Sequence, residues 1–446
     1  MLPQFKNPKL VFYLIWFGQF VSILGSAMTR FAVIVWAYQQ TQQTMILGWL
    51  GFFGYLPFVL VSPFAGVWID RLDRKKILIF TDIGASLGTL FLFINFSTGG
   101  LQIWHLLLVE ALIAIFEAFQ SPAFSATIPQ LVSKEDFSRA NGLLSMADST
   151  ARIFAPILAG MILAFSNLSA VFMIDLVTFG IAMIVLVMVQ FPTIKQDKKI
   201  KAENNFWFEL RTGIDFIFRR EGLVGLLIIF LFINLFAAIT YYAILPALIL
   251  SRTNGNQVDL GMVNAALSIG ALTGGIIIST WKGPKKKVFG FLLATVMSFL
   301  FGDFLFAVGR SLPIWLLAAF ASAIFIPAIT GYNMTIWQSK VPRNLQGRVF
   351  SLRSMFQTIV MPLGYLLGGW LGDFVFEPAI RNQSVWAIWM TPLVGSTSGA
   401  GLGAMFLFTS ILGTLTGISG FLFKKIRNVE DDLPDFEILE NQFVAE

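Results

Sequence analysis

Three ionisable residues stand deep inside apolar stretches of this chain: Arg30, Glu110 and Glu117. A charge at the centre of a membrane helix costs roughly 2.5–3.5 kcal/mol on insertion scales, so such residues are candidates for function. Gln19, Ser22, Ser26 and Arg30 follow one another at intervals of three, four and four, which places them on one helix face. Glu110, Glu117 and Ser121 share a face of another helix. Arg30 and Glu110 lie about seven or eight residues from the same end of their runs, roughly 10–12 Å deep at 1.5 Å per residue, so they can pair. A carboxyl that alternates between apolar packing and contact with a guanidinium or water can bind and release a proton. Glu110 and Glu117, with Arg30, are therefore the proton-coupling candidates; the competing reading is a fixed pair that only sets helix packing.

Other side chains are read from the same spacing. Asp148 and Arg152, four apart, form a structural ion pair. Asn234 and Tyr241 share a face, as do Thr330, Asn333 and Trp337, and such polar and aromatic groups suit an amphipathic organic molecule in an apolar cavity. Asp175 and Asp303 fall one to two turns from a helix end, where water could reach them. Asp82 and Arg353 fall near the opposite ends.

The inventory excludes several chemistries. The chain has one histidine, His105, and no cysteine, so there is no material for a hydrolytic triad, a His-x-x-x-His zinc site, a thiolate metal site or a disulfide. No Gly-x-x-x-x-Gly-Lys-Ser/Thr loop is present, and the run Gly395–Gly403 lacks the Lys-Ser/Thr that a phosphate cradle needs. The chain is read as no enzyme, with no cofactor and no metal.

The elements that must carry these residues follow from composition. Only 13% of the 446 residues are charged and 56% are hydrophobic, against about 25% charged in a soluble domain. Apolar runs long enough to cross a bilayer fall near 10–37, 45–69, 77–97, 103–128, 139–165 and 168–191. A second six fall near 222–250, 257–281, 288–308, 313–339, 348–374 and 401–424. Alternating the loops puts 25 of the 31 Lys and Arg on one side, which predicts cytoplasmic termini and a topological rather than nucleic-acid role for the +6 charge. The first span is too long for a signal peptide and has no small-residue cleavage site, so it is read as an anchor.

Four segments are predicted: a six-helix bundle over 1–191, a cytoplasmic linker over 192–221, a second six-helix bundle over 222–427, and an acidic, solvated tail over 428–446. Within the linker Phe206, Leu210, Ile214 and Ile217 recur at helical spacing, which reads as a helix lying on the membrane surface. The two bundles echo each other. Arg139 and Arg348 each precede a Ser-Met pair by six residues, and the helices that follow carry Pro156 with Gly160, and Pro362 with Gly364, Gly368 and Gly369. Parallel repeats of this kind are the usual build of secondary transporters.

One loop sharpens the reading. In Gly66-Val-Trp-Ile-Asp70-Arg71-Leu-Asp-Arg74-Lys75-Lys76, six charges fall in seven residues between two spans. Gly66, Asp70, Arg71, Arg74 and Lys75 resemble the signature loop of the major facilitator superfamily, Gly-x-Leu-Ala-Asp-Arg-x-Gly-Arg-Lys/Arg. Trp68, Ile69 and Asp73 depart from it. The resemblance implies an all-α membrane protein of twelve helices in two pseudo-symmetric bundles. It also implies a gate in which Asp70, with Arg71 and Arg74, meets the start of the eleventh helix near Arg348. Helices one, four, seven and ten would line the cavity, so Gln19, Ser22, Ser26, Ser121, Asn234, Tyr241, Thr330, Asn333 and Trp337 would face substrate. Within the superfamily, 22–41, 119–146 and 341–351 are similar to the bacterial macrolide-efflux and enterobactin-exporter branch. The Pro-Gly pattern associated with exporters is only partly kept, as Ala155-Pro156-x-x-Ala159-Gly160.

The expectation is a proton-coupled exporter of small amphipathic molecules (drug, macrolide or siderophore-like), a monomer in a bacterial inner membrane. Its partners would be substrate, protons and lipid, with no nucleic acid. Uptake by the same fold, or uncoupled movement of lipid or solute, is the alternative.

Overall fold

A computed structural model of the chain describes residues 8–69, 73–132, 136–189, 206–281 and 283–435. Twelve helices among them are long and apolar enough to cross a membrane. They are spans 1 to 6, Leu10–Thr41, Thr44–Ser62, Lys75–Ser97, Ile103–Phe124, Gly142–Phe165 and Leu168–Met188, and spans 7 to 12, Glu221–Arg252, Gln257–Thr280, Lys287–Val308, Leu312–Lys340, Leu345–Arg381 and Ala400–Leu422. All twelve expected runs are present. In a bilayer core no water satisfies backbone groups, so spanning segments must close their hydrogen bonds internally, as these helices do.

The chain divides into two compact units. Unit 1 comprises Met1–Gln196, Tyr242–Ala265 and Tyr365–Asp373; unit 2 comprises Asp197–Tyr241, Ala266–Gly364 and Phe374–Glu446. The core of unit 1 includes Val11, Phe12, Ile15, Leu131, Ala140 and Val189, and a second cluster of Ala65, Ile77, Leu78, Ala123 and Leu186. Unit 2 buries Phe291, Phe306, Phe406 and Trp337 completely, with Phe306 and Phe406 in ring contact at 5.0 Å. Large apolar side chains such as Phe80 and Phe165 stay exposed, as the lipid-facing surface of a membrane protein requires.

Spans 7, 9 and 11 each contain one widened π turn: Ala238–Ile244, Ser298–Asp303 and Gly372–Phe376. Two have a visible cause. Pro246 and Pro378 lie just downstream, and a proline inside a helix withholds a donor and crowds the carbonyl four residues earlier. The extra residue in such a turn shifts the helix face, and π turns concentrate at functional positions.

The linker helix and the start of the tail both pack against other helices of unit 2. The linker helix Phe206–Phe218 packs against the helix Arg343–Thr358, where a Cβ on Gly213 would stand 2.5 Å from Leu352. Ile217 of its apolar stripe is fully buried. The first part of the acidic tail is not simply solvated: Val429 is fully buried, and the carboxylate of Glu430 accepts the Val288 amide at 2.8 Å. Lys340, 4% exposed at its side chain, pairs with Asp435 at 2.8 Å and donates to the Glu430 carbonyl at 2.7 Å. A buried ammonium needs such acceptors, and the tail supplies them. Residues 192–205 and 436–446 lie outside the described residues.

Candidate functional site

The three ionisable residues of spans 1 and 4 meet. Arg30 donates from Nη2 to Glu117 Oε1 at 2.7 Å, and its Nε stands 3.9 Å from Glu110 Oε2. The two carboxylates differ in setting. The side chains of Arg30 and Glu117 are 40% and 42% exposed, whereas that of Glu110 is 11% exposed. The tighter pair is therefore the accessible one. Span 2 leaves room for the buried acid: a Cβ on Gly54 would lie 3.1 Å from Glu110 Oε2.

Three tyrosines border this cluster within unit 1, and the sequence reading missed them. Tyr242 and Tyr365 stack with ring centroids 4.4 Å apart, and Tyr55 meets Tyr365 edge-on at 6.0 Å. Tyr242 is within electrostatic range of Arg30, Glu110 and Glu117. A Cβ on Gly51 would lie 2.8 Å from the Tyr242 ring and 2.9 Å from that of Tyr365, so only glycine admits both rings. The signal was present as Gly48-x-x-Gly51-x-x-Gly54, three small residues on one helix face.

The remaining polar candidates are drawn into helix packing. Asp175, on span 6, accepts from Ser26 at 3.0 Å, Thr29 at 3.0 Å and Thr89 at 3.1 Å. Asp303, on span 9, accepts from Thr409 at 2.7 Å and from the Tyr241 hydroxyl. Both acids are 1% exposed, which corrects the expectation that water reaches them. Asp82 is held by Gln19 at 3.3 Å and by Gln120, and Ser22 is buried nearby on span 1. In unit 2, Asn234 donates to the Gln357 carbonyl at 2.6 Å. Asn333 and Trp337 are fully buried and bonded to each other at 3.1 Å, with the Arg353 guanidinium 5.3 Å from the Trp337 ring centre. Of the residues expected to face substrate, Gln19, Ser26 and Tyr241 bond to neighbouring helices, whereas Asn333 and Trp337 bond to each other within their own helix. Thr330 is exposed and bonds back to the Ile326 carbonyl.

Asp148 and Arg152 pair at 2.8 Å on an exposed helix face, as their spacing predicts. Gly66 lies in the helix Thr44–Ile69, and Arg348 in the helix that meets the linker at Gly213. Asp70 and Arg71 lie outside the described residues, as do the side chains of Arg74 and Ser121. Among the described residues no three His, Asp or Glu converge as metal ligands.

Twelve spans, paired acids beside a guanidinium and an aromatic border describe a solute transporter of the membrane. The Major Facilitator Superfamily family model matches residues 15–365, and the chain belongs to that superfamily. It is a multi-pass membrane transporter and not an enzyme. Macrolide efflux protein A of Streptococcus pyogenes is 29% identical over 378 residues, covering 83% of this chain and 92% of that protein. Enterobactin exporter EntS of Salmonella typhi is 24% identical over 84% of this chain and 88% of its own length. Among solved structures, a bacterial homologue of the human lysosomal transporter Spinster superposes with a TM-score of 0.67 at 17% identity, covering 96% of this chain and 98% of that one. That likeness concerns the fold.

Proposed function

We propose that this transporter exports small amphipathic organic molecules in exchange for protons, with Glu110 carrying the proton and Glu117 serving as the exchangeable partner of Arg30. One observation carries the reading: two carboxylates share one guanidinium inside the spans. With both acids ionised the trio has a net charge of −1; one bound proton makes it neutral, which a low-dielectric setting rewards. A cationic or polar group of a substrate can compete for the accessible Glu117, while the buried Glu110 holds the proton. The relatives named for macrolide efflux and enterobactin export support the direction and the amphipathic class. We place the basic loops and both termini in the cytoplasm of a bacterial inner membrane, and the working unit is a monomer.

The test is transport in proteoliposomes with imposed pH gradients and a panel of amphipathic compounds. The wild type responds to the gradient. Glu110→Gln binds substrate but loses gradient-driven accumulation, and Glu117→Gln loses affinity first. Gradient-insensitive wild-type transport would reject proton coupling, and gradient-driven transport in both variants would reject these carboxylates. Uncoupled lipid movement predicts the first of these results.

A further inference from the structure

We propose that Asp373 is a latch on the charge-poor face, closing the transporter there by capping the first turn of span 2. Helices leave their first four amides unpaired, and a nearby Ser, Thr, Asp or Asn usually satisfies some of them. The helix Thr44–Ile69 is preceded instead by Gln42, at φ 54°, and Gln43. Its cap comes from 329 residues along the chain: Asp373 accepts from the Thr44 amide at 2.9 Å and from the Met45 amide at 2.7 Å, one bond on each carboxylate oxygen. A carboxylate at a helix N-terminus is favoured by the partial positive charge of those amides.

The surrounding backbone holds the carboxylate in place. A Cβ on Gly369 would lie 2.6 Å from Met45 Cα, and one on Gly48 would lie 2.5 Å from the Tyr365 carbonyl oxygen, so the two helices touch backbone to backbone. Asp373 itself sits in the π turn Gly372–Phe376, which turns its side chain off the regular helix face. A second close crossing joins spans 5 and 8. There a Cβ on Gly160 would stand 2.7 Å from the Gln257 carbonyl oxygen, and one on Gly261 2.5 Å from that of Pro156. Through these crossings the later segments Tyr242–Ala265 and Tyr365–Asp373 belong to unit 1. The glycine contacts are apolar packing or backbone approach, whereas Asp373 brings an ionised group onto two amides. A transporter that alternates access must release these segments in every cycle, and the charge-assisted cap is the contact whose loss tips that balance.

This inference rests on the transporter reading and not on proton coupling, so its test uses neither substrate nor gradient. The chain has no cysteine, which makes a single Leu260→Cys a clean reporter. Leu260 is fully buried beside Gly261, and a membrane-impermeant maleimide added from the charge-poor face reaches it only when the crossings part. Asp373→Asn keeps one acceptor but loses the charge, and labelling accelerates about five- to tenfold, the effect expected for weakening one charge-assisted contact. Thr44→Pro removes one donor from the other partner, at a first helical position where proline is tolerated, and accelerates labelling likewise. Asp373→Glu restores part of the slow rate. Either perturbation that folds, judged by elution and thermal unfolding, and still labels at the parent rate overturns the latch. A failure of proton-driven transport with accelerated labelling rejects the proposed coupling and leaves the latch standing.

Discussion

Exchanging Thr89 and Asp175 between their positions tests whether the buried acids are structural knots. In the first bundle span 3 supplies the threonine and span 6 the aspartate, Thr89 to Asp175 at 3.1 Å. In the second, span 9 supplies the aspartate and span 12 the threonine, Thr409 to Asp303 at 2.7 Å. Spans 3 and 9, and 6 and 12, hold the same places in the repeat, so nature has built the same contact with its donor and acceptor exchanged. Asp175→Thr alone strands three hydroxyl donors, Ser26, Thr29 and Thr89. At about 0.6 kcal/mol for each interhelical hydrogen bond in a membrane, this costs about 2 kcal/mol. Thr89→Asp alone sets two carboxyls about 4 Å apart, a repulsion of up to about 4 kcal/mol at an effective dielectric of 20. The double exchange removes the repulsion and restores the bond between positions 89 and 175, but leaves Ser26 and Thr29 without their acceptor, so it lies about 1 kcal/mol below wild type. At about 2–4 °C per kcal/mol, Asp175→Thr lowers Tm by about 4–8 °C and the double exchange by less than about 4 °C. The 12 tryptophans provide the fluorescence signal, since there is no cysteine for a thiol dye. A double variant as unstable as the two single changes added together would refute the knot. So would Asp175→Thr with an unchanged Tm and no transport.

Other consequences are briefer. Removing residues 429–446 strands the buried Lys340 and lowers Tm by several degrees, while Lys340→Met in the truncated chain recovers much of the loss, read by the same fluorescence melt. Arg152→Gln shifts stability by less than about 1 kcal/mol, because the Asp148 pair is exposed. The short apolar helix Val385–Val394 exposes Val385 and Trp389, so a spin label at Trp389→Cys is relaxed more by oxygen than by a water-soluble nickel chelate, placing it at the lipid interface.

The spans were legible because a bilayer admits few alternatives: long apolar runs become helices, and the basic loops set their alternation. The Arg30, Glu110 and Glu117 meeting was legible because charge in such runs is rare and depth can be counted from a helix end. Which acid would take the guanidinium was not, since the difference between 2.7 Å and 3.9 Å depends on the rotation of span 4. Tyr241 was read as facing substrate on the assumption of a regular helix, and it falls instead within the π turn Ala238–Ile244. Its hydroxyl then belongs to Asp303 and its neighbour Tyr242 to the ion cluster. Asn333 and Trp337 shared a helix face as spacing required, but that face is packed. Periodicity tells which residues travel together, not which side is wet. Asp373 was invisible for a related reason: its partners are amides, which every helix has.

The repeat also separates architecture from function. What recurs in both bundles has the same work to do in each, and the aspartate–threonine knots recur: Thr89 with Asp175, Asp303 with Thr409. Holding three helices together is work both bundles share. The Arg30 cluster does not recur. Span 7 has no acidic residue beyond Glu221 at its start, and span 10 has none at all, so no second guanidinium–carboxylate trio occupies the equivalent places. A bundle does not need such a trio to fold, since the other folds without one. Keeping three ionisable groups within one bundle's spans, at a cost of roughly 2.5–3.5 kcal/mol each on insertion scales, therefore requires a return that packing does not supply. Chemistry performed once per cycle, at one place, would be such a return, and this is the ground for proposing coupling at Glu110 and Glu117 rather than at the deeper-buried Asp175 or Asp303.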